Sequence, residues 1–256
     1  MSATIDLNAD LGESFGAWNM GDDAGVMPWI SSANIACGFH AGDPLIMRHT
    51  VALCIEHGVA IGAHPSLPDL QGFGRREIRV TPDEAYAQTL YQVGALHAIT
   101  TACGGHLHHV KPHGALYNMA VRDRELADAI ANAVRDFNPT LILVGLAGSA
   151  LVGAGCAAGL AVQREAFCDR RYHADGSLVP RTRQGAVIEE VDVAIAQAVS
   201  IATRGEAMTD DGMAVHMEAD TLCIHGDRTG AGAFAKGLRL ALEHAGVQVN
   251  AAERPA

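Results

Sequence analysis

Six short polar clusters in this chain carry residue types suited to acid–base, anion-binding and metal chemistry, and each closes an apolar run. Asn8, Asp10 and Glu13 form the first, and His40, set between Gly38 and Gly42, marks the second. His64 precedes Pro65 in the third, which continues to Arg75 and Arg76. Lys111 and His113 make the fourth. Glu165, Asp169, Arg170 and Arg171 make the fifth, and His225 with Asp227 the sixth. Imidazoles carry protons near neutral pH. Carboxylates act as bases or hold cations, and guanidinium groups clamp phosphate or carboxylate.

Spacing sharpens this reading. Asn8 and Asp10 share strand parity and point the same way, as do Lys111 and His113. A lysine aimed into a buried mouth must find an anion, because burying it unpaired is expensive. Glu165 is its natural ion partner. Asp10, Glu13, His40 and His64 mix oxygen and imidazole donors and can hold a divalent ion. Plainer readings stand beside these: Asp10 and Glu13 as caps of the following segment, His40 as a satisfied core histidine, the arginine pairs as surface charge. His106, His108 and His109 are not read as a metal tract, since neighbours on a strand face opposite ways. No Gly-x-x-x-x-Gly-Lys phosphate loop occurs, and the glycine-rich run 226–232 before a helical stretch is the nearest anion cradle.

The elements that must position these groups alternate along the chain. Apolar or β-branched runs at 4–8, 33–37, 59–63, 109–112, 141–145, 161–166 and 221–225 read as strands. Helical patterns at 44–57, from 82 to about 103, and at 122–137, 191–204 and 230–244 separate them. Asp43 before Pro44 is an N-cap signal, and Thr81 with Glu84 spells a capping box. Strands separated by helices imply parallel pairing with right-handed crossovers. Seven such units suggest a closed or nearly closed barrel, with a doubly wound open sheet as the competitor. In a parallel barrel all six polar clusters would open onto the C-terminal face, where sites form. One domain spanning 1–256 is expected, with residues 250–256 fraying.

Composition limits the classes. A formal net charge of −11, with 18 scattered Lys and Arg, argues against nucleic acid as a partner. With 49% hydrophobic residues the chain can bury a core without disulfides, and its six cysteines contain no Cys-x-x-Cys pair. Neither a signal-peptide pattern nor a membrane-spanning apolar run is seen. A cytoplasmic protein is expected.

The clusters also carry a resemblance. The runs 6–16 (DLNADLGESFG), 32–44 (SANIACGFHAGDP), 62–66 (GAHPS), 69–76 (DLQGFGRR) and 110–117 (VKPHGALY) resemble motifs of the LamB/YcsF family, as do 165–167 (EAF), 169–172 (DRRY) and 225–227 (HGD). They occur in order from about residue 4 to 246, with Arg228-Thr229 departing from the pattern after the last. The resemblance implies a seven-stranded parallel β/α barrel like those of polysaccharide deacetylases and glycoside hydrolases. It implies ATP-dependent hydrolysis of 5-oxo-L-proline to L-glutamate, ADP and phosphate, carried out with two further subunits, B and C. On that chemistry Lys111 and Arg170 or Arg171 would take the anionic groups, and His40, His64 or His113 would serve as acid and base. Asp10 and Glu13 would hold Mg²⁺, while Asn8, Arg75, Arg76, Glu165, Asp169, His225 and Asp227 would line the substrate and phosphates. The alternatives are a stand-alone metal-dependent deacetylase or amidohydrolase and a non-catalytic lactam-binding subunit.

Overall fold

In β1 (Thr4–Leu11), Asp6, Asn8 and Asp10 alternate with Leu7, Ala9 and Leu11, so polar and apolar side chains leave opposite faces. That alternation decides how the strand is used in the computed structural model, which describes residues 3–181, 183–225 and 230–255. The apolar face packs against helices and the polar face enters a barrel. Around it lie β2 (Ser32–Ala36), β3 (Ala60–His64), β4 (Leu107–Val110), β5 (Ile142–Leu146), β6 (Ala161–Phe167) and β9 (Thr221–His225). Each pairs in parallel with the next, and β9 returns to β1, so seven strands among the described residues close the barrel. The closed barrel therefore prevails over the open sheet.

Helices α2 (Pro44–His57), α3 (Pro82–Ala102), α4 (Gly114–Arg122), α5 (Arg124–Phe137), α6 (Ala150–Ala157), α7 (Val191–Arg204) and α8 (Ala231–His244) follow their strands, and a short α1 (Asp23–Val26) follows β1. Asp43 caps α2 by accepting from the Leu45 and Ile46 amides, and its second oxygen takes the Gly16 amide. The capping box of Thr81 and Glu84 opens α3. Residues 122–137 are not one helix: Asp123 breaks the run and caps α5 by accepting from the Leu126 amide. Within the β6–β9 crossover, β7 (Glu206–Met208) and β8 (Ala214–His216) make an antiparallel pair. A final β10 (Gln248–Val249) pairs with the start of β1.

The apolar core is the shell between strands and helices, with Leu7, Leu11, Ile35, Leu116, Ile130, Leu143, Phe234 and Leu238 all buried. The barrel interior is polar by contrast. Asp6 accepts from Ser32 and Thr221, while Asn8 donates to Thr221 and Glu165. In β4 the register shifts by one residue opposite Ile61 and Gly62, so that His109 turns inward. Its ring fills the space left by Gly62, where a Cβ would sit 2.0 Å from His109 Nε2. Near the C-terminus Ala252 O meets His108 Nε2 at 2.8 Å and Arg254 donates to Leu107 O. No helix among the described residues is long and apolar enough to cross a membrane.

Candidate functional site

Across the barrel, β1, β2, β4, β6 and β9 converge on one ammonium. β1 runs three residues beyond its expected end, which places Asp10 as well as Asn8 inside the strand. Lys111 follows β4 but keeps its ladder, its amide donating to Ala63 O. Its Nζ reaches Glu165 Oε1 at 2.7 Å, Asp10 Oδ1 at 2.9 Å, Asn8 Oδ1 at 3.0 Å and Cys223 Sγ at 3.1 Å. Burial alone would lower the lysine's pKa, but Asp10, the Cys223 sulfur and Glu165 hold it well above the ordinary value. Lys111 is thus a fixed cation, unsuited to act as a base. Asn34 braces the group by donating to Asn8 and Asp10, and its carbonyl oxygen faces His109 Nε2 at 2.8 Å. Tyr117 donates to the other oxygen of Glu165 at 2.7 Å.

Beside this group stand the imidazoles of His40, His64 and His113, delivered by the β2, β3 and β4 ends. All are buried, as is Glu13. His40 Nε2 lies 3.2 Å from Glu13 Oε1, and its ring stacks on His113 with centroids 3.8 Å apart. His113 Nδ1 lies 2.9 Å from His64 Nε2 and 3.6 Å from Glu13 Oε1. His64 Nε2 in turn lies 3.3 Å from Asp10 Oδ2. Burial and neighbouring histidines keep His40 and His113 well below the usual imidazole pKa, so both are neutral near pH 7.

The loop after β3 holds this cluster in place. Phe73 adopts a left-handed φ of 54°, uncommon for a residue with a Cβ, and its carbonyl faces His113 Nε2 at 2.9 Å. Gly74 follows at φ 63°, with His40 and Ser66 so close that a Cβ would sit 2.8 Å from His40 Cβ. Only glycine fits there.

The expected residues divide into two groups. Asn8, Asp10, Glu13, His40, His64, Lys111, His113 and Glu165 come together at the C-terminal face. Arg170 is buried: its Nη2 donates to Val179 O at 2.6 Å, while its Nε has no partner among the described residues. Burial first, then nearby Arg181, pulls its pKa down to about 10. Asp169 is buried next to it. Arg76 instead binds Asp69 at the surface, Arg75 lies over the Phe73 ring at 4.9 Å, and Arg171 is half-buried in the β6–α7 loop. Asp227 and the side chain of His225 lie outside the described residues, as does the start of the 226–232 run.

Of Asp10, Glu13, His40 and His64, expected as possible metal donors, the last three stand in one cluster with His113. One donor atom each from Glu13, His40, His64 and His113 lies within 4.8 Å of the others, whereas Asp10 Oδ1 is spent on Lys111 and Asn34. Three nitrogens and one carboxyl suit a transition metal better than Mg²⁺, which prefers oxygen. Asn34, His109, Tyr117 and Cys223 are site residues that motif reading passed over. Asn34 was findable, as a polar side chain between apolar neighbours in β2 with the parity of an inward position.

A parallel β/α barrel with a carboxylate–lysine network and an imidazole cluster at its C-terminal mouth defines an enzyme-like barrel component. More narrowly, the chain belongs to the LamB/YcsF family, whose model matches residues 5–256. It is 56% identical over 252 residues to the A subunit of 5-oxoprolinase from Bordetella pertussis, covering 98% of this chain and 100% of that one. It is 58% identical over 251 residues to the protein of that name from Methylococcus capsulatus, covering 98% and 96% of the two chains. The lactam utilization protein of Thermus thermophilus superposes with a TM-score of 0.92 at 50% identity, covering 97% of this chain and 100% of that one.

Proposed function

We propose that this chain is the A component of an ATP-dependent 5-oxoprolinase, which opens 5-oxo-L-proline to L-glutamate as ATP becomes ADP and phosphate. The observation that carries the reading is identity of 56% and 58%, over nearly the whole chain, with proteins named as the A subunit of 5-oxoprolinase. A name that denotes one subunit of several supports the existence of partners, and the B and C subunits are the partners we assign. The free cysteines accord with a cytoplasmic setting.

A five-membered lactam is a stable amide. Transfer of the γ-phosphoryl group to its amide oxygen releases ADP and makes that oxygen a leaving group. Water then adds at the carbonyl carbon and the ring C–N bond breaks to leave γ-glutamyl phosphate, whose acyl–phosphate linkage a second water cleaves to give glutamate and phosphate. Such a sequence needs an anchor for the substrate carboxylate, cations for phosphate and a proton carrier. Arg170 is the anchor we assign, since its Nε–H is buried and unspent. Lys111 is matched by Asp10 and Glu165, so it orients those carboxyl groups rather than binding phosphate. The neutral imidazoles of His40 and His113, with His64, move the protons. Of the pair expected to hold magnesium with ATP, Asp10 remains an oxygen donor at the mouth, while Glu13 stands among imidazoles.

The test is release of glutamate and ADP from 5-oxoproline and ATP, with this chain alone and with B and C added. Coupled release in the mixture supports the reading; none, despite confirmed assembly, overturns it. The histidine–Glu13 cluster favours a second reading, metal-assisted hydrolysis of an amide by this chain alone. That reaction would need no ATP.

A further inference from the structure

The geometry points to a divalent transition-metal ion of the Zn²⁺, Co²⁺ or Mn²⁺ class bound by Glu13, His40, His64 and His113, without help from nucleotide or from partner chains. Hydrogen positions on the imidazoles follow from what their nitrogens face. His64 Nδ1 sits 2.7 Å from the carbonyl oxygen of Lys111, and His113 Nε2 sits 2.9 Å from that of Phe73. A carbonyl oxygen only accepts, so each of these nitrogens carries the hydrogen. The remaining nitrogens, His64 Nε2 and His113 Nδ1, are then the atoms each ring has available for a proton or a metal ion. These two atoms face each other at 2.9 Å. Two carboxyl oxygens lie beside them, Asp10 Oδ2 at 3.3 Å from the first and Glu13 Oε1 at 3.6 Å from the second. Such a buried convergence needs a positive charge to hold it together, which a metal ion or a proton supplies.

His40 gives a second, independent sign. It is 1% exposed, its Nε2 lies 3.2 Å from Glu13 Oε1, and its Nδ1 has no hydrogen-bond partner among the described residues. A fully buried imidazole with one nitrogen unspent is uncommon in a site that needs no ligand. The distances also suit an ion. Tetrahedral coordination with metal–nitrogen bonds of about 2.05 Å puts ligand atoms roughly 3.3 Å apart, and the closest pairs here span 2.9 to 3.6 Å. The backbone carbonyls on the far nitrogens of His64 and His113 supply the outer contacts that fix the tautomer of a metal-bound histidine.

The experiment uses the whole chain stripped with chelator, free of ATP and partners, and titrated with Co²⁺. Expected are one equivalent bound, visible d–d absorption of a low-symmetry nitrogen-rich site, a raised melting temperature, and displacement by Zn²⁺ but not by millimolar Mg²⁺. His64→Ala and His113→Ala, each checked for native circular dichroism, should weaken binding by at least about tenfold, a loss typical even of outer contacts. His97→Ala, a substitution away from the site, should not. Absence of a Co²⁺ spectrum, or the same spectrum and affinity in folded His64→Ala and His113→Ala, would overturn the proposal. So would imidazole ¹⁵N signals showing a shared proton between His64 and His113 that added metal does not displace. Failure of oxoprolinase activity would leave these readouts untouched, so the two readings can fall separately.

Discussion

Glu165 Oε1 lies 2.7 Å from Lys111 Nζ, and the two side chains come from β6 and the end of β4, with β5 between them. Both are buried, and Asp10 takes a second side of the same ammonium. Removing the lysine therefore strands two carboxyl groups in the barrel. Lys111→Ala is expected to cost about 3–5 kcal/mol of unfolding free energy, the range for breaking a buried ion pair from one side. Urea unfolding measures it. The double variant Lys111→Met/Glu165→Gln should recover part of that loss, because it removes charge from both sides. A single variant as stable as the parent would mean that water reaches this network.

Arg170 and Arg171 are adjacent in sequence and differ in the fold. Arg170 is buried with an unspent Nε–H, and Arg171 is half-exposed in the loop. Arg170→Lys keeps a positive charge but loses the planar fork that pairs with a carboxylate or phosphate. Its kcat/KM for the assembled enzyme should fall by about tenfold or more, equivalent to one charge-assisted hydrogen bond of roughly 1.5–3 kcal/mol. Arg171→Lys and Arg76→Lys should stay within about twofold. Equal losses at Arg170 and Arg171 would show that net positive charge in the loop matters rather than the buried guanidinium.

Gly74 lets the loop after β3 close over the imidazoles. At φ 63° a side chain is strained, and an added Cβ would meet Ser66 Oγ at 2.3 Å and His40 Cβ at 2.8 Å. Gly74→Ala should displace this loop and with it the carbonyl of Phe73 that orients His113. The expected result is a loss of about 1–3 kcal/mol in stability with a larger proportional loss in turnover. Gly148→Ala is the control, since Gly148 shares a positive φ but has open space around it. If both variants lose stability alike and neither loses extra activity, the loop does not position the site.

The barrel and the convergence of its polar clusters were legible because they rest on periodicity. Alternation in β1 put Asn8 and Asp10 on one face, and the strand–helix rhythm sent each cluster to the same end. What stayed hidden depends on non-local geometry. That Lys111 is saturated needs the reach of Asp10 and Glu165 across the barrel. Glu13, His40 and His64 could be grouped from their residue types, but that His113 joins them depends on how four strand ends meet, which no spacing shows. The division between Arg170 and Arg171 turns on how one loop folds back onto Val179. The contacts of Ala252 and Arg254 escaped for a related reason: their partners are His108 and Leu107, far away in the chain.

Protonation should weaken this fold in a defined direction. Burial holds His109, His113 and His40 well below the ordinary value of 6.5 and lowers His108 as well. Between 6.5 and those depressed values the unfolded chain binds protons that the folded chain refuses. Unfolding free energy therefore falls as pH drops below 6.5, by about 1.4 kcal/mol per pH unit for each histidine still neutral in the fold. Above that value these groups are neutral in both states and contribute no slope. Asp6 and Asp23 act the other way at lower pH, since burial raises both above 3.8 and the folded chain takes up their protons first. The decline should thus begin near pH 6.5 and ease where those carboxyl groups titrate. Urea midpoints for the chelator-treated chain between pH 8 and 5 measure the slope. His109→Gln, which cannot ionise, should flatten it by about one proton's share, and a midpoint unchanged across this range would mean that the buried imidazoles gain protons without unfolding.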